Sequence, residues 1–404
     1  MRVLLLRGYF YPEQCAGTYL TNDLLESFAN NDVESVVFTP IPCRGIDKST
    51  RKVYKKKKKE IIYNGKVKVY RYWLPYERKN KISRMFRYLL LNIIQFFKGL
   101  ASKDIDIILL SSTPPTNGIV GGLLKKFKKT PFVYNLQDIF PDSLVTTGIT
   151  KKGSLLWKIG KKIENYTYRN ADKIIVISEA FKNNLLEKNV PEDKIVVVPN
   201  WVDAENIMPV LRKDNKLMEE YNIDCNKFIV VYAGNFGAAQ GADVILESAI
   251  LLKEEKDIQF VIFGGGAEFE NAKEKAKNMD NVIINSLLPS NRISEVYSLG
   301  DVSLVTCKKG VGNSGLPSKT WSIMACGTPI IASFDTDSEL ADIIKKAEAG
   351  VCVEPEDAKA LANAILEAKN KNLISQGRNY VLKYASKDVC TKEYIKQMEK
   401  LINI

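Results

Sequence analysis

Short apolar runs rich in Val and Ile recur along this chain, separated by segments of helix length, and no other feature constrains its fold as tightly. "VLLLR" (3–7), "SVVFTP" (35–40), "KVKVYRY" (66–72), "DIIL" (106–109), "PFVYNL" (131–136), "KIIVIS" (173–178) and "KIVVVP" (194–199) form a first series. Most are continuously apolar, the pattern of strands in a parallel sheet covered by helices on both faces. Between them, 18–30, 82–102 and 154–171 have helical length and period. The alternation predicts a doubly wound α/β domain.

A polar, Pro-containing stretch at 199–228 then breaks the pattern and reads as a hinge. A second series follows, with "FIVVYAG" (228–234), "IQFVIFGGG" (258–266), "NVIIN" (281–285), "DVSLVT" (301–306) and "PIIAS" (329–333). The expected architecture is α/β, with two Rossmann-like doubly wound domains facing a central cleft. Their expected bounds are 1–203 and 204–385, with a terminal helix in 386–404 packing back on the first.

Charge divides in the same place. Residues 1–200 hold 35 Lys and Arg against 18 Asp and Glu, whereas the remaining 204 hold 24 against 29. A basic half joined to a mildly acidic one implies that only the first meets an anionic surface. No run reaches the roughly 18–20 apolar residues that cross a bilayer, and "MRVLLLRGYF" has the length of a first strand rather than of a signal peptide. The seven cysteines are scattered and never form a CxxC pair, which favours reduced thiols in a cytoplasm over disulfides or zinc. There is no histidine, so a mechanism that needs an imidazole base is excluded.

In an open parallel sheet, ligands bind beyond the carboxyl ends of the strands, and four segments fall there. "GNFGAAQG" (234–241) is either a plain turn or a phosphate loop in which Gly234, Asn235 and Gly237 allow close approach. "FGGGAEFE" (263–270), with Gly265, repeats the arrangement. Backbone groups near Leu287 in "NSLLPSNRISEVYSLGD" (285–301) are placed to read a base edge. In "GVGNSGLPSKTWSIMACGTPIIAS" (310–333), N–H groups from Gly312 to Gly315 and at the helix start can hold a diphosphate. Gly315, Leu316, Pro317 and Ser318 lead there into Lys319, a lysine poorly placed for the helix dipole. It is either a solvated cation or the partner of an anionic ligand.

Residues 51–100 combine more than a dozen cations with Trp73, several Tyr and Phe, and the run "YLLLNIIQFF". A basic segment with interfacial aromatics beside an amphipathic helix reads as monotopic membrane docking. The expected contacts are Lys55, Lys56, Lys57, Lys58, Lys59, Trp73, Arg84 and Arg87, each cation being worth about 1 kcal/mol near an anionic leaflet. The alternatives are a solvated loop at 51–60 and core packing of the apolar run. No nucleic-acid module surrounds the charges, so no nucleic-acid partner is expected.

Taken in order, "YFYPEQCAGTYLTNDLL", "LQDIFPDSLVTTGI", "NADKIIVISEAFKNNLL", "KIVVVPNWVD", "YAGNFGAAQGADVILESA", "FGGGAEFE", "GLPSKTWSIMACGTPIIAS" and "AEAGVCVEPEDAKALANAI" resemble glycosyltransferase family 4. The nearest branch resembles the aminosugar transferases of bacterial surface polysaccharides. The resemblance spans nearly the whole chain and implies a GT-B fold. It also implies retention of anomeric configuration, no metal and no cofactor, and a nucleotide-sugar donor, UDP-sugar favoured. The second domain would hold the donor and the first the acceptor. "YFYPEQCAGTY" then supplies Glu13, Ala16 and Gly17 to the acceptor. Asp138 in "NLQDIFPD" is the ionisable group best placed to act in catalysis, with a turn-forming role equally open to it.

The departures from the family pattern matter. Its loop cations fall on Asn235 and Gln240, which leaves Lys319 as the candidate cation for the pyrophosphate. Its paired glutamates map onto Ser314 and Ser322, and a serine makes one bond to a ribose hydroxyl where a carboxylate makes two. Losing a charged hydrogen bond costs ~1.5–3 kcal/mol. Asp335 or Asp337 could compensate, unless Asp337 or Ser338 instead caps the following helix. The expected protein is cytoplasmic and peripheral on the inner face of the membrane. It would transfer sugar to a lipid-diphosphate-linked saccharide. A non-catalytic partner subunit and a sugar-nucleotide 2-epimerase are the rival readings.

Overall fold

The computed structural model describes every residue except Gln14, Ala16, Arg78, Lys79, Thr147, Asn313, Ser314, Asn403 and Ile404, and the side chains of Lys81 and Ile82. The chain divides into two units, Met1–Pro199 with Cys390–Ile404, and Asn200–Val389. The first holds strands β1 (Arg2–Leu6), β2 (Glu34–Pro40), β3 (Lys59–Ile62), β4 (Val67–Tyr72), β5 (Ile107–Ser111), β6 (Phe132–Leu136), β7 (Lys173–Val176) and β8 (Ile195–Val197). They lie in the order β3-β4-β2-β1-β5-β6-β7-β8, parallel throughout except for β3 against β4. The continuously apolar β5 is buried along its whole length. Near the edge, β4 alternates between buried and half-buried positions, as a strand with one covered face should.

The second unit holds β9 (Phe228–Asn235), β10 (Ile258–Gly265), β11 (Val282–Ser286), β12 (Val302–Thr306), β13 (Ile330–Ser333) and β14 (Gly350–Val353). All pairs are parallel, in the order β11-β10-β9-β12-β13-β14. This is the doubly wound order. The direction of winding reverses between β9 and β12 here, and between β1 and β5 in the first sheet; ligands bind at such reversals.

Three features differ from the sequence reading. β3 lies inside the basic run, where Glu60, Ile61 and Ile62 pair with β4 and close the sheet edge. β14 is short and begins on a glycine, which concealed it. The stretch read as a hinge is bound to the second unit from Asn200 onward. Val202 donates to the Ala385 carbonyl and Lys387 donates back to Val202, while Val202, Ala204, Leu217 and Ile223 enter that unit's core. The division therefore falls at 199/200 and 389/390 rather than at 203/204 and 385/386.

Helix-on-sheet packing in the first unit is tight enough to select glycine. A Cβ on Gly121, in the Asn117–Lys128 helix, would lie 2.3 Å from the ring of Phe132, which is itself fully buried on β6. Gly121→Ala is expected to cost about 1–3 kcal/mol. The check is a lowered urea midpoint with an unchanged denaturant slope; an unshifted midpoint would mean the ring yields freely.

Candidate functional site

At the winding reversal of the second sheet, three loops are knitted together by backbone bonds. Phe236 N–H donates to Gly265 O (2.6 Å) and Glu268 N–H to Phe236 O (2.9 Å), joining the loops after β9 and β10. Lys308 N–H donates to Ala239 O (3.0 Å), joining the loop after β12. Asn235 and Gln240 are tied to each other. Their side chains bond each other at 3.3 Å across Gly237, where a Cβ would fall 2.6 Å from Asn235 Nδ2. These two residues shape the loop and leave it without a cation of its own.

The cation comes from Lys319, the first residue of the Lys319–Ala325 helix. Its stem is half-buried, but Nζ is shut off from solvent and has no hydrogen-bond partner among the described residues. The ammonium sits 4.0 Å from the centre of the Tyr232 ring, and a Cβ on Gly234 would meet it at 2.7 Å. Burial pushes the Lys319 pKa down to about 7. Tyr232 also donates its hydroxyl to Asn235 O (3.0 Å), so one side chain supports both the loop and the cation. Sequence reasoning missed Tyr232. Its signal was a polar aromatic two residues before a glycine loop, at an inward strand position.

The remaining donor-side residues gather at the same end of the sheet. Gly234 and Asn235 end β9 and Gly265 ends β10. Leu287 follows β11, half exposed, with its N–H committed to Gly264 O (2.9 Å), so only its carbonyl and side chain remain for a base. Gly315, Leu316, Pro317 and Ser318 lead into the Lys319 helix, with Leu316 packed on the core and Ser318 at the N-cap. Ser322 stands one turn after Lys319 on the same face and is half-buried. Ser314 lies outside the described residues. Asp335 does not replace a ribose carboxylate: its two oxygens accept the Gly310 and Gly312 N–H groups at 2.9 and 2.7 Å. Ser338, not Asp337, caps the following helix.

A concavity of about 290 Å³ bordered by Lys227, Asp280 and Asn281 opens at the amino-terminal edge of the same strands. It is remote from the glycine loops and holds no convergent set of functional groups.

In the first unit, the loop after β1 is built around Glu13. Its carboxylate is buried and accepts the N–H groups of Phe10 (3.1 Å), Cys43 (2.8 Å) and Arg44 (3.0 Å). Glu13 thus ties two loops together and is not presented to an acceptor. Gly17 opens the Thr18–Asn30 helix at φ +79°, a conformation that favours glycine. Ala16 lies outside the described residues. Asp138 follows β6, its backbone held by Ser112 Oγ (3.2 Å). It is exposed as a residue, yet protein crowding its carboxylate raises its pKa, against a hydrogen bond from Ser143 at 3.1 Å. Behind it a cavity of about 10 Å³, bordered by Tyr134, Glu164 and Tyr168, has room for roughly one water. Arg7, at the end of β1, is a cation the sequence reading passed over. Burial pushes its pKa down to about 10, eased by Tyr394 of the terminal helix.

The residues expected to meet a membrane separate into two groups. Lys55, Lys56, Lys58 and Trp73 are exposed. Lys57 pairs with Glu60 (2.8 Å), Lys59 leans over the Tyr70 ring, and Arg84 approaches Glu77 (3.3 Å). Arg87 is buried, donating to Pro75 O (2.9 Å) and facing Cys43, so it is a structural cation and not a membrane contact.

An unpaired buried ammonium makes a definite prediction. Lys319 titrates near 7 when folded and near 10.4 when unfolded. Between these values the unfolded chain binds more protons, so this group makes ligand-free stability rise with pH across that window. A diphosphate bound at Lys319 would select the charged form, so its binding would take up a proton above pH 7 and its affinity would fall by up to about tenfold per unit from pH 7.5 to 9. Calorimetric titration in buffers of different ionisation enthalpy measures that uptake. Lys319→Met is expected to raise the ligand-free melting temperature by several degrees and to abolish diphosphate binding. A lowered melting temperature would make the lysine a scaffold element.

Comparison with known proteins agrees with this geometry. A family model described as "Glycosyltransferase Family 4" matches residues 18–206, and one described as "Glycosyl transferases group 1" matches 213–388. "Probable glycosyltransferase WbjE" of Pseudomonas aeruginosa is 29% identical over 67% of this chain and 68% of its own length. "Putative colanic acid biosynthesis glycosyl transferase WcaI" of Escherichia coli is 26% identical over 68% of each. Among solved structures, sucrose-phosphate synthase of Thermosynechococcus elongatus superposes with a TM-score of 0.74 at 18% identity, covering 100% of this chain and 99% of that one. Anabaena Alr3699/HepE in complex with UDP gives 0.71 at 14% identity, over 99% and 100%. The two-sheet architecture is the GT-B fold, and the chain is a glycosyltransferase that belongs to family 4.

Proposed function

We propose that this glycosyltransferase moves a sugar, with retention of configuration and without a metal, from a UDP-sugar to a lipid-diphosphate-linked saccharide in bacterial surface polysaccharide synthesis. The observation that carries the reading is the Lys319 ammonium, buried at the winding reversal of the second sheet against the Tyr232 ring and without a hydrogen-bond partner among the described residues. A donor diphosphate would supply the missing anion. UDP is favoured because HepE, of the same fold, binds it. The polysaccharide setting is favoured by the name of the colanic acid relative.

With no histidine in the chain, the departing diphosphate itself takes the proton of the acceptor hydroxyl. The sugar C1–O bond to phosphate breaks as the C1–O bond to the acceptor forms on the same face. Lys319 neutralises charge that grows on the leaving oxygen, and Asp138 orients the acceptor. Ser322 contributes one bond to the ribose.

The test is a thermal-shift panel with UDP, GDP, CDP, ADP and dTDP in chelator. Ligand at about 100 times its dissociation constant stabilises the fold by about 2.7 kcal/mol, so UDP alone is expected to raise the melting temperature. Silence from every nucleotide would favour a non-catalytic subunit. Product released from donor alone would favour an epimerase. Asp138→Asn is expected to cut transfer while leaving the UDP shift intact; unchanged turnover would assign Asp138 to its turn.

A further inference from the structure

The Lys81–Ala101 helix is inverted relative to an ordinary surface helix. Its inner face carries the polar groups: Arg87 bonds Pro75 O, Asn92 bonds Asn117 (3.0 Å) and Gln95 bonds Arg7 O (3.1 Å). Its outer face carries Met85, Phe86, Leu89, Ile93, Phe97 and Leu100, each between 40% and 69% exposed. At 100° per residue these six occupy an arc of roughly 120°, and no charge interrupts it from Met85 to Phe97. Phe127, 62% exposed on the neighbouring helix, extends the patch through its edge contact with Phe96 at 5.9 Å. A contiguous apolar surface of this extent marks an interaction site.

We propose that this outer face is the element that enters an anionic lipid bilayer surface, lying in its plane. The charges around it select that occupant. The Lys81–Ala101, Asn117–Lys128 and Leu155–Asn170 helices pack side by side; a Cβ on Gly99 would strike Leu124, and one on Gly122 would strike Tyr166. Across all three the only acid is Glu164, which is buried and paired with Lys188 at 2.6 Å. Their exposed cations include Lys98, Lys126 and Lys158, and Leu155, Leu156 and Ile159 add further exposed apolar side chains. Arg51 of the basic Lys48–Lys56 helix lies 5.0 Å over the ring of Tyr76, just before the inverted helix. A second copy of the chain would set these cations against each other, whereas anionic headgroups neutralise them while the acyl boundary takes the apolar stripe. No described helix is long and apolar enough to cross a membrane, which fits a helix that lies in the interface.

The purpose of such docking rests on the lipid-borne acceptor proposed above, but its measurement needs no sugar. The full chain is sedimented with phosphatidylcholine vesicles with and without phosphatidylglycerol, beside the double variant Leu89→Ser with Phe97→Ser. Both substituted side chains are exposed, so melting temperature and the UDP shift serve as folding controls. The expected result is salt-sensitive binding that requires phosphatidylglycerol and weakens by roughly tenfold or more in the variant. Equal binding by wild type and variant would overturn the assignment. So would absence of vesicle binding together with a concentration-dependent dimer that the variant loses. A UDP shift missing from both proteins, with vesicle binding intact, would instead count against the donor reading alone.

Discussion

A parallel sheet covered on both faces has nowhere to put reactive groups except beyond its strand ends, and the second sheet obeys that limit closely. Its strands β9, β10 and β12 are buried along most of their length, and the candidate site collects where the winding reverses between β9 and β12. There the fold tolerates one costly feature, a lysine nitrogen withdrawn from water and given, among the described residues, a ring face and a glycine for company. Burying an unpaired ammonium is expensive, and a protein usually avoids the cost by pairing or exposing the group. Lys319 does neither. The anion of the proposed donor would supply the reason for its position.

The carboxylates near both strand-end regions are used differently. Glu13 and Asp335 look like site residues by position, but each spends its oxygens on backbone N–H groups, chiefly those of a neighbouring loop. They fix loop shape so that other groups can act. With Asp335 occupied, no carboxylate among these residues compensates for Ser322 at the expected ribose position. In the proposed donor site the grip on a nucleotide would shift from ribose to diphosphate, where a charged bond in a water-poor setting is worth more than one in the open.

Much of this was legible in the sequence. Continuous Val and Ile runs mark parallel strands, and glycines after them mark the loops at the functional end. β3 escaped because a lysine run looks solvated whether or not its last residues pair with a neighbour, and strand pairing is a non-local fact. β14 escaped because four residues starting on glycine carry little periodic signal. The partner of Lys319 escaped for a related reason: Tyr232 on β9 and Lys319 on a helix far along the chain meet only when the sheet closes. The burial of Arg87 was equally hidden, since a cation in a basic segment gives no sign that it faces Cys43.

The inverted helix shows where periodicity reaches its limit. In "YLLLNIIQFF" the pattern declares two unlike faces but does not say which one the protein keeps. Hydrophobicity alone would turn Leu89, Ile93 and Phe97 inward. The structure turns Leu91 and Gln95 inward instead, because the inner face meets Arg7 O and Asn117, polar groups that need partners. An unsatisfied buried acceptor would cost about 1–3 kcal/mol, and an apolar inner face would remove the donors that reach Arg7 O and Asn117 Oδ1. Satisfying them commits the polar positions to the core and forces the apolar positions out. The exposed stripe is thus a consequence of how the first sheet presents its strand ends. An apolar stripe framed by helices whose only acid is buried is suited to a lipid boundary with negative charge.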